Sequence, residues 1–257
     1  TIGDGSNLLL DDSGLNALII KIGRSMAALE VGDGVITCGA GRWVPSLARF
    51  SASRGFTGLE HIVGIPGTLG GLICMNGGSQ RKGIGENIVQ VESVDLNGEI
   101  QVTPVGECGF NYRESVFQKN SAIVTGCVLE LNEGNVSFIR KEMLAILKSR
   151  REKFPLKLPN CGSVFVSNPS MYEKIGPPGH EIEDVGLKGF SVGGAAVSEL
   201  HANFFVNTGG ATSADMLTLI SYVQNEVFKV TGFIMASEVR HVSAEGVVLP
   251  VSVRSGA

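Results

Sequence analysis

"GIPGTLGGLICMNGG", Gly64 to Gly78, carries six glycines in fifteen residues. Each glycine in regular structure costs roughly 0.5–1 kcal/mol of backbone entropy against alanine. Something must offset that cost, and a ligand needing bare backbone N–H groups at close range would do so. The run is not an ATP loop, because no Gly-Lys dipeptide occurs in the chain. A second short loop, "GDGSN" at Gly3–Asn7, has the same character. It does not complete the G-x-G-x-x-G pattern, since Leu8 stands at the third glycine position.

Successive N–H groups in such turns can form a concave nest for an anion. Ser6 and Thr68 add hydroxyls, and Asn7 and Asn76 add amides. Two nests distant in sequence could grip one pyrophosphate from both sides, as in a dinucleotide or flavin site. Glycines also serve tight turns between strands, where they supply positive φ. The residues alone leave both readings open.

Composition sets the outer bounds. The chain has 257 residues, 43% hydrophobic and 18% charged, enough for one large or two modest domains. A net charge of -4 argues against nucleic acid, whose binders carry a basic face. The longest apolar stretches fall short of a membrane span, and no basic-then-apolar leader is seen. The five cysteines are scattered, without a Cys-x-x-Cys pair. They read as reduced thiols of a cytoplasmic protein. No cluster has metal-ligand spacing, and Asn135-Val-Ser reads as a chance match to the glycosylation pattern.

Along the chain, "NALIIKI" (16–22) and "GVITCG" (34–39) predict strands. "VQVESVDLNGEIQVT" (89–103) predicts a hairpin about Asn97-Gly98. "WVPSLARFSASRG" predicts a short helix with Trp43, Leu47 and Phe50 on one face, ended by Gly55. "SFIRKEMLAILKSRREKFP" predicts a charged amphipathic helix stopped by Pro155. A domain boundary is expected near it. Strands are expected near Phe190–Val197 and Asn203–Asn207. A helix capped by Thr212 or Ser213 follows, with Met216, Leu219, Ile220, Val223 and Val227 inward and Gly232 at its close.

The ordered set of motifs resembles the UDP-N-acetylenolpyruvoylglucosamine reductases, also called UDP-N-acetylmuramate dehydrogenases. The matching stretches are "GDGSNLLLDDSG", "GFTGLEHIVGIPGTLGGLICMNGG", "FNYRESVF", "NCGSVF" with "NP" after it, "GLKGFSVGGAAVSELHANFFVN", "ATSADMLTLI" and "EVR". Each is weak alone; the order is specific. The resemblance is to the branch without a tyrosine-bearing loop over the substrate. It implies an α+β fold: a flavin domain of the vanillyl-alcohol-oxidase type over 1–135, a substrate domain over 150–232, and a segment over 233–257 returning to the flavin domain. The family's further strand–helix–strand unit ahead of "GDGSN" is not in the sequence, which opens at Thr1. The expected flavin domain therefore lacks its first subdomain.

What the resemblance implies for function is equally specific. FAD, reduced by NADPH, would reduce the enolpyruvyl group on UDP-N-acetylglucosamine in peptidoglycan precursor synthesis. Gly3, Gly5, Ser6, Asn7 and Leu8, with Pro66, Gly67, Thr68, Gly70, Gly71 and Asn76, would contact FAD. Reducing an enol ether beside a carboxylate builds negative charge that spreads into that carboxylate, so the site needs a cation, donors and an acid. Arg113 would fork onto the carboxylate, Ser163 would supply the proton, and Glu238 would stabilise the enolate. Tyr112, Asn168, Lys188 and His201 would touch substrate. Without the resemblance, Arg113 reads as an ion-pair partner of Glu114 or another acid, Ser163 as a turn serine after Gly162, and Glu238 as a strand carboxylate paired with Arg240. Cys161, two residues before Ser163, is not taken as the acid. The expected protein is a cytoplasmic monomer with no metal, nucleic-acid or membrane partner. Two alternatives stand beside it: another oxidoreductase on the same flavin domain, with His61 as a tether, and an inactive nucleotide-sugar-binding fragment.

Overall fold

The computed structural model describes residues 1–32, 34–167 and 169–251. They form two compact units, Thr1–Asp4 with Ile19–Arg150, and Gly5–Leu18 with the chain from Arg151 onward. The division falls at Arg150–Arg151, inside the helix Val136–Lys153. This is the charged helix around which the sequence predicts a boundary.

The first unit is built on a five-stranded antiparallel sheet. Its spatial order is Leu29–Gly32, Val35–Gly39, Ile123–Glu130, Ile88–Val94, Ile100–Pro104. Alternation decides the faces: Ile36 and Cys38 are buried while Thr37 between them is exposed. The predicted hairpin forms, with Gly98 at φ +86° and the Asp95 carboxylate accepting from the Asn97 and Glu99 N–H groups. The central strand Ile123–Glu130 is not among the sequence expectations. Its pairing with Ile88–Val94 carries two register shifts, and the one that leaves Thr125 as an extra residue breaks this strand's period of two. Helices Val44–Ser53 and Leu69–Cys74 help cover the buried face, which also takes Ile139, Met143 and Ile146 of the long helix.

Two local expectations fail here. Residues 16–22 form no strand: Lys21 makes a single parallel bridge to Ile2, and Leu18, Ile19 and Ile20 stay exposed. Ile20 O and Ile22 N–H both bond the single residue Ile2, and Asn16 N–H reaches Ala244 O, so no continuous strand edge lies along the run. The short helix does form, but its buried face is Val44, Leu47, Ala48 and Ser51. Trp43 is its N-cap and lies 46% exposed, with the Arg49 guanidinium 5.0 Å over its ring. A residue at the cap points off the helical stripe. Gly55, at φ +78°, follows the helix as expected.

The second unit holds a four-stranded antiparallel sheet, in order Ser191–Val192, Ala195–Val197, Phe204–Asn207, Asn160–Ser163. A three-stranded sheet joins Leu8–Leu10, in parallel, to Arg240–Val242, which pairs antiparallel with Val248–Pro250. The helix Ser213–Thr231 begins at a capping box, Thr212 with Asp215, and ends at Gly232 with φ 67°. Its predicted stripe is buried against Phe165, Phe205 and Ile182 in one cluster. Each of the five side chains contributes roughly 1.5–3 kcal/mol by leaving water.

Candidate functional site

The glycine run divides by what each glycine does. A Cβ on Gly70 would stand 2.9 Å from the Ala40 Cβ, and one on Gly77 2.6 Å from Leu72. On Gly64 it would overlap the Arg150 side chain, and on Gly78 the Lys82 carbonyl. Gly67 holds φ +132°. Five of the six are thus accounted for by packing or backbone conformation. Gly71 differs: only the Thr68 hydroxyl comes within 4 Å, at 3.5 Å. The space beside it is a cradle that a side chain would fill. Gly3 faces the same threonine, whose hydroxyl its Cβ would overlap. Gly3, Thr68 and Gly71 are therefore brought together within the first unit. These residues fit a ligand that needs bare backbone, as the FAD pyrophosphate does. Asn76 has another task here: its Oδ1 accepts from Gly85 N–H (3.0 Å) and its Nδ2 donates to the Asn111 carbonyl (2.9 Å).

Arg113 also belongs to the first unit. Asn111 and Glu114 exchange two backbone hydrogen bonds of 3.1 Å, closing a tight turn with Tyr112 and Arg113 at its tip. Arg113 sits there at φ +58°, a conformation that costs a non-glycine residue about 1–2 kcal/mol. Its guanidinium lies 5.2 Å over the Tyr112 ring and donates to the Gly78 carbonyl at 3.4 Å. Glu114 pairs with Lys119. Two residues that sequence reasoning missed hold this turn. Gln118 Nε2 donates to the Arg113 and Cys74 carbonyls, each at 2.9 Å, and buried Ser115 donates to Cys74 O at 2.7 Å. Polar residues directly after "YR" were the available signal.

In the second unit, three expected site segments meet. Ser163 ends its strand opposite Phe204. The next residue, Val164, accepts from the Glu238 N–H at 2.7 Å. Asn7 Nδ2 donates to the Glu238 carbonyl at 3.1 Å, and Asn7 O accepts from Arg240 N–H at 3.1 Å. Leu8 continues this by pairing with Arg240. Gly5 has φ +73° and open space where a Cβ would be, and Ser6 is exposed. A Cβ on Gly162 would stand 3.5 Å from the Ser6 carbonyl. Residues more than 200 apart thus form one backbone-knit patch around Ser163 and Glu238. Burial pushes the neighbouring Cys161 thiol up to about 11, so it stays neutral at physiological pH.

His201 lies elsewhere in this unit, among the residues lining a cavity of about 640 Å³ that also include Tyr172, His180, Glu183 and Asn203. Its ring centroid is 5.2 Å from those of Phe154 and Phe204. Burial lowers its pKa. The Nδ1 atom accepts from Asn203 N–H at 3.2 Å, which puts the proton on Nε2. Lys188 pairs with Glu183 at 2.7 Å. Asn168 lies outside the described residues. The sequence reading also passed over Asn203, which is 3% exposed. An amide side chain entering an apolar strand was its signal.

All five cysteines are free thiols. Among the described residues, no group of three or more His, Cys, Asp or Glu could hold a metal ion. Among those residues, no helix is long and apolar enough to cross a membrane.

Comparison with known proteins gives consistent matches. The family profile described as the C-terminal domain of UDP-N-acetylenolpyruvoylglucosamine reductase matches residues 154–242, and the FAD binding domain profile matches residues 1–104. UDP-N-acetylenolpyruvoylglucosamine reductase 1 of Corynebacterium glutamicum is 45% identical over 95% of this chain and 73% of its own length. The enzyme of Heliobacterium modesticaldum is 42% identical over 95% of this chain and 77% of its own. The crystal structure of the Thermus caldophilus reductase superimposes with a TM-score of 0.79 at 31% identity, covering 92% of this chain and 82% of that one.

Proposed function

The chain belongs to the UDP-N-acetylenolpyruvoylglucosamine reductase family, and from that premise we propose which residues carry its reaction. The family's enzyme is an FAD oxidoreductase of peptidoglycan precursor synthesis, UDP-N-acetylmuramate dehydrogenase. FAD, when bound, carries electrons from NADPH to the double bond of the enolpyruvyl ether. Gly3, Gly5, Ser6, Asn7 and Leu8, with Pro66, Gly67, Thr68, Gly70 and Gly71, would hold it, and Asn76 would support that loop through its amide hydrogen bonds to Gly85 and Asn111. Domain limits of 1–135, 150–232 and 233–257 belong to the same reading. So do the branch without a tyrosine-bearing loop and a monomeric state in the cytoplasm.

Arg113 binds the substrate carboxylate with its planar fork and neutralises the charge that spreads there. A residue kept in left-handed backbone conformation is held for its side chain, and this supports the assignment. Ser163 delivers the proton from Oγ to the carbon. A hydroxyl suffices because a dianionic enolate is strongly basic. Glu238 steadies the enolate oxygen. Tyr112, Asn168, Lys188 and His201 contact the rest of the nucleotide sugar. Lys188 stands against Glu183 at 2.7 Å, and His201, neutral, has Nε2–H to donate.

The observation that carries this reading is the patch in which Val164, next to Ser163, bonds the backbone of Glu238. Stopped-flow absorbance on Ser163→Ala tests it. Flavin reduction by NADPH should keep its rate, while reoxidation by substrate slows ~10²–10⁴-fold, the usual share of a general acid. Equal slowing of both half-reactions removes Ser163 from the role.

A further inference from the structure

The strand Asn160–Ser163 pairs with Phe204–Asn207 only at Ser163 and Asn160, with a register irregularity between. Gly162 turns there with φ +84°. Beyond Ser163 a side chain takes over the pairing. Asn203 Oδ1 accepts from Phe165 N–H at 2.9 Å, and its Nδ2 donates to Phe165 O at 2.9 Å. The Asn203 carbonyl accepts from Val164 N–H, also at 2.9 Å. On the opposite edge, Val164 O takes the Glu238 N–H, Phe165 bridges to Ser237, and Val166 N–H reaches Ala236 O at 2.9 Å. Residues 164–166 are therefore stitched along both edges.

We infer that Asn203 is a positioning residue for the proton step: through the backbone of residues 164–165 it sets the Ser163 hydroxyl relative to Glu238. This rests on the reading of Ser163 as proton donor. The chemistry demands an amide. One side chain must donate and accept at the same time, inside the protein, against the two backbone groups of one residue. An ionised aspartate can accept from Phe165 N–H but faces the Phe165 carbonyl with a second negative oxygen. A protonated aspartic acid restores the donor, and burial favours that form. Serine cannot span both groups.

The test uses the full chain loaded with FAD. Asn203→Asp at pH 8 should slow reoxidation by substrate about 10–100-fold, the scale of a small misplacement, with flavin reduction by NADPH changed less than threefold. As pH falls toward 6 the Asn203→Asp rate should recover relative to the parent. Peptide amide exchange over residues 163–166, a readout independent of turnover, should accelerate at pH 8. Asn203→Ser should show the same slowing and exchange with no recovery at low pH, and it keeps the test open if the aspartate variant does not fold. Added to Ser163→Ala, either substitution should cause little further slowing. The inference is overturned by parental exchange and rates, by equal slowing of both half-reactions, or by full additivity with Ser163→Ala. Ser163→Ala at the parental rate overturns the underlying reading. A slow Ser163→Ala beside a parental Asn203→Asp overturns this inference alone.

Discussion

Replacing Arg113 with glycine should separate fold from chemistry in one step. The substitution relieves the left-handed backbone at φ +58°, worth about 1–2 kcal/mol. Against this, glycine adds roughly 0.5–1 kcal/mol of unfolded-state freedom. The 3.4 Å bond to Gly78 O is lost, at the weak end of about 0.5–1.5 kcal/mol. The guanidinium over Tyr112 goes too, about 0.5–1 kcal/mol at an exposed site. These contributions nearly cancel, so urea midpoints should place the variant within about 2 kcal/mol of the parent. Chemistry should not cancel. Two charge-assisted hydrogen bonds to a carboxylate are worth roughly 3–6 kcal/mol, which is about 10²–10⁴-fold in rate. The assay is stopped-flow reoxidation of the reduced flavin by substrate, with the NADPH half-reaction as internal control. Arg113→Lys, which keeps a charge and the strained backbone but loses the fork, should slow the same step roughly 10–100-fold. A glycine variant that turns over at the parental rate, or one destabilised by more than about 4 kcal/mol with both half-reactions equally slow, refutes the reasoning.

Three further outcomes follow from the same geometry. Gly71→Ala should melt at or above the parent temperature in FAD-free protein, because alanine gains up to about 1 kcal/mol of helix propensity; fluorescence titration should show weaker FAD binding. Gly70→Ala, whose Cβ would press on Ala40 at 2.9 Å, should instead lower the melting point by an overpacking cost of about 1–3 kcal/mol. The third concerns pH. Buried His61 accepts from Ser79 N–H at its Nδ1, and burial holds its pKa below the ordinary 6.5 among Glu86, Lys82 and Glu60. The unfolded chain takes up the proton near pH 6.5 and the folded chain only lower. Its contribution is therefore whole above 6.5 and lost as pH falls toward the folded value. His61→Gln should flatten the decline of the urea midpoint between pH 6.5 and 5; an unchanged decline means His61 does not carry it.

The local elements were legible because local physics sets them. The helix at Ser213–Thr231 announces itself by a capping box, a stripe at helical spacing and a closing glycine, all within 21 residues of sequence. The order of motifs pointed to the family. Residues 16–22 misled because an apolar β-branched run makes a strand only where a neighbouring edge exists, and Ile2 offers a single residue of one. The strand Ile123–Glu130 was hidden by the register shift at Thr125, which shows only in its pairing with Ile88–Val94.

By itself the sequence determined the residue types: the glycines, the guanidinium, the hydroxyl and carboxyl that the chemistry calls for, and the capped, striped helices around them. Tertiary structure decided which glycines are filled by the chain's own packing and which leave space, separating Gly70 on Ala40 from Gly71 beside Thr68. It also decided that Asn7, Ser163, Asn203 and Glu238 share one hydrogen-bonded patch. Spacing along a chain encodes period and caps, which are short-range. Contacts between residues 38 to 231 positions apart depend on strand pairing that no local pattern records.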